Sequence, residues 1–329
     1  MKIGIVGATG LVGGVMLQVL EKYFAECEFF PAASDKSVGK EVVFNNKKHR
    51  LLSINEVINH TPDVVLLAVG SAVSLQYAPL FAEKGSFVVD NSSAWRMYEH
   101  VPLVVPEINA DVLKPSDKII ANPNCSTITL VMALAPLHKA FKIKRVVAST
   151  YQSVTGSGIK GVNQLLNERK GIKGENAYPH AIDLNILPHG GNFEENGYTT
   201  EETKLLNETR KILNDKAIQL TSTVVRVPVM GGHSLSVNVE FEQEYSLDAV
   251  YELLYNISGV IVEDNPSADL YPTPLSAQGK DVVFVGRVRR DFSQKNSLNM
   301  WVVSDNLRKG AATNAVQIAQ YIDNQGWLR

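Results

Sequence analysis

A short, mostly apolar run, Lys2–Val6, leads straight into Gly7-Ala8-Thr9-Gly10-Leu11-Val12-Gly13, which opens an amphipathic stretch over Leu11–Tyr23. Glycines at such a junction permit a tight turn, a close approach of backbone to a pyrophosphate, and close packing of helix on strand. The N-terminal amides of the helix then face the anion. The order strand, glycine loop, helix therefore points to a parallel sheet that binds a dinucleotide, with Gly7, Thr9, Gly10, Leu11 and Val12 as the candidate cofactor loop. The spacing is G-x-x-G-x-x-G and not the commoner G-x-G-x-x-G, so the loop by itself leaves open a glycine turn with no ligand.

The rhythm continues with Val64–Val69, Ser71–Lys84, Phe87–Asp90 and Lys118–Ala121, alternating strand-like and helix-like runs as in a sheet covered on both faces. Asn122-Pro123-Asn124 breaks the pattern and Thr127–Phe141 resumes it as a helix, which puts Cys125 at a strand-to-helix turn. Later runs are β-rich, at Arg145–Val154, Gln219–Arg226, Ser234–Phe241, Asp281–Arg289 and Leu298–Val303, with helical patterns at Gly161–Arg169, Thr200–Leu213 and Leu247–Tyr255. The expected fold is α/β: an N-terminal Rossmann-like, doubly wound parallel sheet plus an α+β domain with a mixed, partly antiparallel sheet. Residues 1–126 make the first domain, rejoined by a C-terminal helix within 306–329, and residues 127–305 make the second. The 329 residues suit two domains at roughly 150 residues each.

A formal charge of −2 leaves no basic excess for a nucleic-acid backbone, so no nucleic acid is expected as partner. Cys27 and Cys125 are far apart and lack the spacings of a metal site or disulfide framework, which fits a reducing compartment and no metal. The opening MKIGIVGATG has no signal-peptide pattern and no apolar run reaches about 18 residues, so a cytoplasmic chain with no membrane partner is expected.

The second apolar run, Glu28–Ala33, ends at Ser34-Asp35-Lys36-Ser37, where a sheet of this kind reads the adenosine ribose. Asp35 suits a free 2′-hydroxyl, whereas Lys36 with Ser34 and Ser37 suits a 2′-phosphate; NADP is placed only slightly ahead of NAD. Cys125 should lie at a helix N-terminus, where dipole and unpaired amides favour a thiolate and can donate to an oxyanion. Cys27, at the start of a strand, reads as inert core. Arg226 and His233 flank Val-Pro-Val-Met-Gly-Gly, whose proline and glycines turn side chains out of a regular strand. Either alone is an ordinary loop residue; beside a reactive cysteine and a nicotinamide loop, the histidine suits acid–base work and the arginine a bidentate carboxylate.

Six motifs occur in one order: GATGLVG, SSAWRM at Ser92–Met97, NPNCST at Asn122–Thr127, YQSVTGSG at Tyr151–Gly158, EETK at Glu201–Lys204 and RVPVMGGH at Arg226–His233, followed by NLRKGAATNAVQIA at Asn306–Ala319. With them the chain resembles the bacterial aspartate-semialdehyde dehydrogenases along essentially its whole length. The resemblance implies NADPH-dependent reduction of L-4-aspartyl phosphate to L-aspartate 4-semialdehyde with release of phosphate, a step toward lysine, threonine, methionine and diaminopimelate. It implies Cys125 as acyl-accepting nucleophile, His233 as acid–base group and Gln152 as the residue orienting the thioester. Arg226 would bind the substrate α-carboxylate, Glu201 its ammonium, Arg96 and Lys204 the phosphate, with Asn124 also in the substrate site. Ser157, Gly158 and Asn306 would join the cofactor site, and a homodimer, or a tetramer, is implied.

In one place the chain departs from that pattern: related sequences carry an arginine in the turn after the second strand, and here Asp35-Lys36 stands instead. Lysine keeps the charge but not the planar fork. Two other readings stay open at this point, an N-acetyl-glutamyl-phosphate reductase, which would have no use for Glu201 as an ammonium partner, and a catalytically silent, cofactor-sensing paralogue.

Overall fold

Strands β1 (Lys2–Val6), β2 (Glu28–Ala32), and, after a hairpin of β3 (Glu41–Phe44) and β4 (Lys47–Arg50), β5 (Val64–Leu67), β6 (Phe87–Asp90) and β7 (Ile119–Ala121) build the first half of the chain. All but the hairpin pair in parallel, in the order β2-β1-β5-β6-β7. Val64–Leu67 and Phe87–Asp90 are buried at every position, as strands covered on both faces must be. The helices that cover them are α1 (Leu11–Tyr23), α2 (Ile54–Asn59), α3 (Ser71–Glu83) and the short α4 (Pro106–Asn109). The strand order runs one way from β1 to β2 and the other way from β1 to β5, so the glycine loop after β1 sits where an open α/β sheet makes its crevice.

The computed structural model describes residues 1–328. It divides into Met1–Asn124 with the C-terminal segment from Ala311 as one unit and Cys125–Gly310 as the other. The boundaries expected at 126/127 and 305/306 thus move to 124/125 and 310/311. The helix α5 (Cys125–Phe141) begins at the cysteine itself, two residues before the expected Thr127, and its residues pack with the second unit. At the other boundary a single π-type turn, Arg308–Ala312, precedes the C-terminal helix Thr313–Asn324. That helix buries Ala315, Val316, Ile318, Ala319 and Ile322 completely in the core formed with β1, β5 and α1. Arg329 lies outside the described residues.

In the second unit, Ser126–Leu134 of α5 are all buried, the mark of a helix with no solvent face. It packs on β8 (Ile143–Gln152), β10 (His233–Phe241), β12 (Val283–Arg290) and β13 (Ser297–Ser304). With β9 (Gln219–Arg226) and β11 (Val260–Val262) these form one sheet, β11-β12-β13-β10-β8-β9. Its two ends are parallel and its middle antiparallel, the mixed sheet expected from the sequence. Helices α6 (Gly158–Arg169), α7 (Thr200–Ile212), α8 (Leu247–Asn256) and the single turn α9 (Pro274–Ala277) complete the unit. Buried Glu202 on α7 holds that helix to β9: one carboxylate oxygen accepts from Thr199 N–H at 2.7 Å and the other from Val224 N–H at 2.9 Å.

Candidate active site

Sheet register brings the candidate side chains of the second unit to one end. Gln152, last in β8, pairs with Arg226, last in β9, and His233, first in β10, pairs with Ser304, last in β13. Helix α5 starts at the same end: Gln152 Nε2 donates to Ser126 Oγ at 2.9 Å, and Thr129 Oγ1, bonded to Cys125 O at 2.9 Å, is hydrogen-bonded to Ser304 Oγ. Cys125 therefore occupies the first position of a seventeen-residue helix, the place where the helix dipole and free amides stabilise a thiolate. Cys27 differs, packed against the first unit's core, where burial pushes its thiol up to about 11.

One residue's backbone organises the rest. Ser153 N–H donates to His233 Nδ1 at 3.0 Å, while Ser153 C=O accepts from Arg226 Nη1 at 2.8 Å and from Gly156 N–H at 3.2 Å. The Ser153 hydroxyl donates to Val229 O at 2.9 Å and accepts from Thr155 N–H at 3.1 Å. Thr155 Oγ1 in turn donates to Asn306 Oδ1 at 3.0 Å. Asp305, beside Asn306, accepts from Leu307 N–H at 2.9 Å and Gly279 N–H at 2.8 Å, fixing the entry to the π-type turn. In that turn Gly310 lies so close to Cys125 that a β-carbon would stand 3.0 Å from Cys125 Cβ.

His233 is fully buried, and burial first, then the charge of Arg226, holds its pKa well below the ordinary histidine value. The imidazole is neutral at pH 7. Its Nε2 has no hydrogen-bond partner among the described residues, nor has Arg226 Nε, although both are buried. Both groups lie under Gly156: a β-carbon there would stand 2.8 Å from Arg226 Nη1 and 3.1 Å from His233 Nε2. Tyr178 extends the cluster, its ring 5.9 Å from the Arg226 guanidinium carbon and its buried hydroxyl likewise without a partner. Gln164 on α6 places this tyrosine by accepting from Tyr178 N–H at 2.9 Å and Ala177 N–H at 2.7 Å. Buried donors left unpaired in a native protein are costly unless something else satisfies them.

Glu201 and Lys204 lie on the first turns of α7 beside β9, and they bond to each other, Lys204 Nζ to Glu201 Oε1 at 2.6 Å. Expected separately as ammonium and phosphate ligands, they form an ion pair that a substrate would have to share or exchange. Ser157 and Gly158 sit at the start of α6, Gly158 with a positive φ of 69°.

The first unit carries the remaining candidates. Arg96 is buried and held by loop carbonyls: Nε donates to Asn122 O and Nη2 to Asn91 O, each at 2.9 Å. Its loop is pinned by Ser92 Oγ on Asp90 Oδ2 at 2.6 Å and Trp95 Nε1 on Ser74 Oγ at 3.0 Å. Burial raises the Asp90 carboxyl above its ordinary range. Asn122 is fixed by Asn91 and by Asn314, so the Asn122-Pro123-Asn124 segment that leads to Cys125, with Asn124 nearly buried, is held on both sides. In the cofactor loop Gly7 has φ 90°, and a β-carbon on Gly7 or Gly13 would collide with backbone oxygen, of Ala68 and Gly7 respectively. Gly10 caps α1 with no side-chain hydrogen bond and Thr9 is exposed beside it, so no capping side chain fills the helix N-terminus where an anion would sit. Ser34, Asp35 and Lys36 are exposed and Ser37 half-buried in the turn after β2. A pyrophosphate thus fits the loop, and the adjacent turn offers both an acid and a base to the ribose.

Sequence reasoning singled out Gln152, Arg226 and His233 but not the groups that hold them. Ser126, Ser153, Gly156, Tyr178 and Gly310 carry no chemical signature of their own. Their only signal was position, since all but Tyr178 lie inside or next to the motifs already quoted.

Residues 2–116 match the family model for the semialdehyde dehydrogenase NAD binding domain, and residues 134–309 that for the semialdehyde dehydrogenase dimerisation domain. The aspartate-semialdehyde dehydrogenase of Aquifex aeolicus is 48% identical, with 99% of each chain covered. That of Bacillus subtilis is 40% identical over 97% of this chain and 96% of its own. Among solved structures, aspartate semialdehyde dehydrogenase II of Vibrio cholerae complexed with ASA superposes with a TM-score of 0.93 at 41% identity, covering 98% of both chains. The Candida albicans enzyme with NADP gives 0.77 at 25% identity, covering 99% of both.

Proposed function

The chain belongs to the aspartate-semialdehyde dehydrogenase family of oxidoreductases, and from that premise we propose that it reduces L-4-aspartyl phosphate to L-aspartate 4-semialdehyde through a thioester on Cys125, with NADPH as reductant. The observation that carries the reading is the meeting of two buried, unpaired groups, Arg226 Nε and His233 Nε2, at the end of the sheet where Cys125 begins a helix.

The Cys125 thiolate attacks the acyl carbon; the carbon–oxygen bond to phosphate breaks, and phosphate leaves with the bonding pair, taking its proton from water. A bound nicotinamide supplies the hydride that reduces the thioester carbon. Collapse of the resulting oxyanion breaks the carbon–sulfur bond and returns the thiolate. Gln152, tethered through Ser126 to the same helix turn, orients the thioester, and His233 serves as the acid–base group. Arg226 takes the α-carboxylate, the Glu201–Lys204 pair opens to take ammonium and phosphate respectively, and Arg96 and Asn124 complete the substrate contacts. Because Gly156 covers Arg226 and His233, the Val154–Ser157 turn moves aside as substrate enters, with Gly158 as its flexible point.

Gly7, Thr9, Gly10, Leu11 and Val12 would hold the pyrophosphate. Ser34, Lys36 and Ser37 would hold the 2′-phosphate, with Asp35 turned to solvent, and Ser157, Gly158 and Asn306 the nicotinamide end. The chain works in the cytoplasm as a homodimer or tetramer. The sheet of the second unit offers a groove of about 320 Å³ lined by Ser236, Tyr271, Arg287, Arg289 and Trp301 as part of such an interface. Light scattering on the purified protein gives the assembly.

Incubation with aspartate semialdehyde, phosphate and NADP tests the reaction, read as NADPH formation. Activity with N-acetylglutamate semialdehyde in its place would overturn the substrate assignment, and activity with neither would overturn the enzyme.

A further inference from the structure

Glycine inside a helix is destabilising relative to alanine, and it is placed there where something approaches too closely for a side chain. Gly161, near the start of α6, is such a position: a β-carbon there would stand 2.8 Å from Tyr178 Oη, 2.7 Å from Val154 O and 3.0 Å from Ser157 Cβ. Tyr178 is only 8% exposed, and its hydroxyl, set against this bare patch of helix, has no hydrogen-bond partner among the described residues.

The tyrosine is held in that place by the helix it faces. Gln164 Oε1 accepts from Tyr178 N–H at 2.9 Å and from Ala177 N–H at 2.7 Å, while Gln164 Nε2 donates to His180 O at 3.1 Å and to Glu168 Oε1 at 2.7 Å. The other oxygen of Glu168 accepts from Ile182 N–H and Asp183 N–H, each at 2.8 Å. Two side chains of α6 thus fix the whole segment around Tyr178. The ring centre lies 5.9 Å from the guanidinium carbon of Arg226, whose Nη1 is taken by Ser153 O and whose Nε is buried and unpartnered like the hydroxyl. Two donors therefore end in one cluster with no acceptor. A carboxylate has about four lone-pair sites and a bidentate arginine occupies two, which leaves room for a further donor.

Resting on the function proposed above, we infer that Tyr178 is a substrate-binding residue whose hydroxyl donates to the α-carboxylate held by Arg226. Being neutral, the hydroxyl tightens the hold on the carboxylate without placing a second cation where the substrate's own ammonium must come close. It also sharpens selection: a compound without that carboxylate leaves two buried donors unpaired, a penalty that a purely apolar pocket could not impose.

Tyr178→Phe removes the hydroxyl and keeps the ring beside Arg226. Calorimetric titration with aspartate semialdehyde alone, without phosphate or NADP, is expected to show binding weaker by roughly tenfold or more in the variant, as for loss of a hydrogen bond to a charged group. In steady state the KM for the semialdehyde should rise by a like factor while the KM for NADP stays the same. The free variant should melt at or above the wild-type temperature, because it no longer buries an unpaired hydroxyl. Equal affinity for the semialdehyde, or a rise in the KM for NADP instead, overturns the inference. So does a variant that melts lower, which would show that the hydroxyl already has a partner in the free protein. The titration needs no turnover: a wild type that binds the semialdehyde without oxidising it counts against the proposed function alone, and a variant equal to an active wild type counts against Tyr178 alone.

Discussion

Gly310 presses on Cys125: the space where a side chain would begin is filled to within 3.0 Å by the β-carbon of Cys125. A methyl group there must displace either the π-type turn or the first residue of α5. Gly310→Ala is expected to lower kcat at least tenfold, about 1.4 kcal/mol of transition-state stabilisation, while the protein stays folded. Steady-state rates beside a melting curve check it, and an active variant would show that the turn yields freely.

Iodoacetamide near pH 8 should label Cys125 well before Cys27. With its thiol at about 11, Cys27 is ionised only to about one part in a thousand at that pH, whereas a helix N-terminus lowers the Cys125 thiol. Peptide mapping by mass spectrometry gives the order, and first labelling at Cys27 would remove Cys125 from its role.

Arg226→Lys keeps a charge but loses the fork that holds Ser153 O with one nitrogen and offers others to a ligand. The expected loss is about 2 kcal/mol in substrate binding, a rise in the semialdehyde KM of roughly thirtyfold, with cofactor binding little changed. A large shift in the KM for NADP instead would place this residue on the other ligand.

His233→Asn should lower kcat by roughly a hundredfold or more with the fold retained. The same residue links stability to pH. Its folded pKa lies well below 6.5, through burial and then the charge of Arg226, so below pH 6.5 the unfolded chain binds the proton that the native chain refuses. The sign follows: this contribution is complete above pH 6.5 and shrinks as pH falls below it, by at most about 1.4 kcal/mol per pH unit. Melting temperatures from pH ~7 to pH ~5 should therefore fall less steeply for the variant than for wild type. Parallel slopes would mean that His233 takes up a proton in the native state.

Lys36→Ala should cut kcat/KM with NADP more than with NAD, because a solvated lysine in the turn after β2 has only the 2′-phosphate to distinguish. Ratios measured on one preparation decide it, and an unchanged ratio would locate the 2′-phosphate elsewhere.

Much of the fold was open to reading because burial forced a clear period on the sequence. The bounds Lys2–Val6, Leu11–Tyr23, Phe87–Asp90 and Gln219–Arg226, taken from pattern alone, coincide with a helix and three strands of the structure. The hairpin Glu41–Phe44 and Lys47–Arg50 gave no such period, since its strands are short and largely exposed. Its one signal was Asn45-Asn46, both at positive φ as a tight hairpin turn demands. At the site the division is between side chains and backbone. Cys125, Gln152, Arg226 and His233 are chemically distinctive, but what holds two of them is the amide and carbonyl of Ser153, which every residue possesses and no sequence displays. The Glu201–Lys204 pair is the counterpart: two charges assigned to different ligands stand three residues apart on a helix, the spacing at which they meet each other first.

The return of the chain to its first unit has a consequence for synthesis. The core of that unit contains Ala315, Val316, Ile318, Ala319 and Ile322, which leave the ribosome only after the whole of the second unit. Domains usually fold in the order in which they emerge. Here the stretch Cys125–Gly310 is continuous and complete while the nucleotide-binding sheet still lacks its closing helix. The unit begun first is therefore finished after the second, and until that helix is translated its apolar face around β1 and β5 is a surface for chaperones to guard.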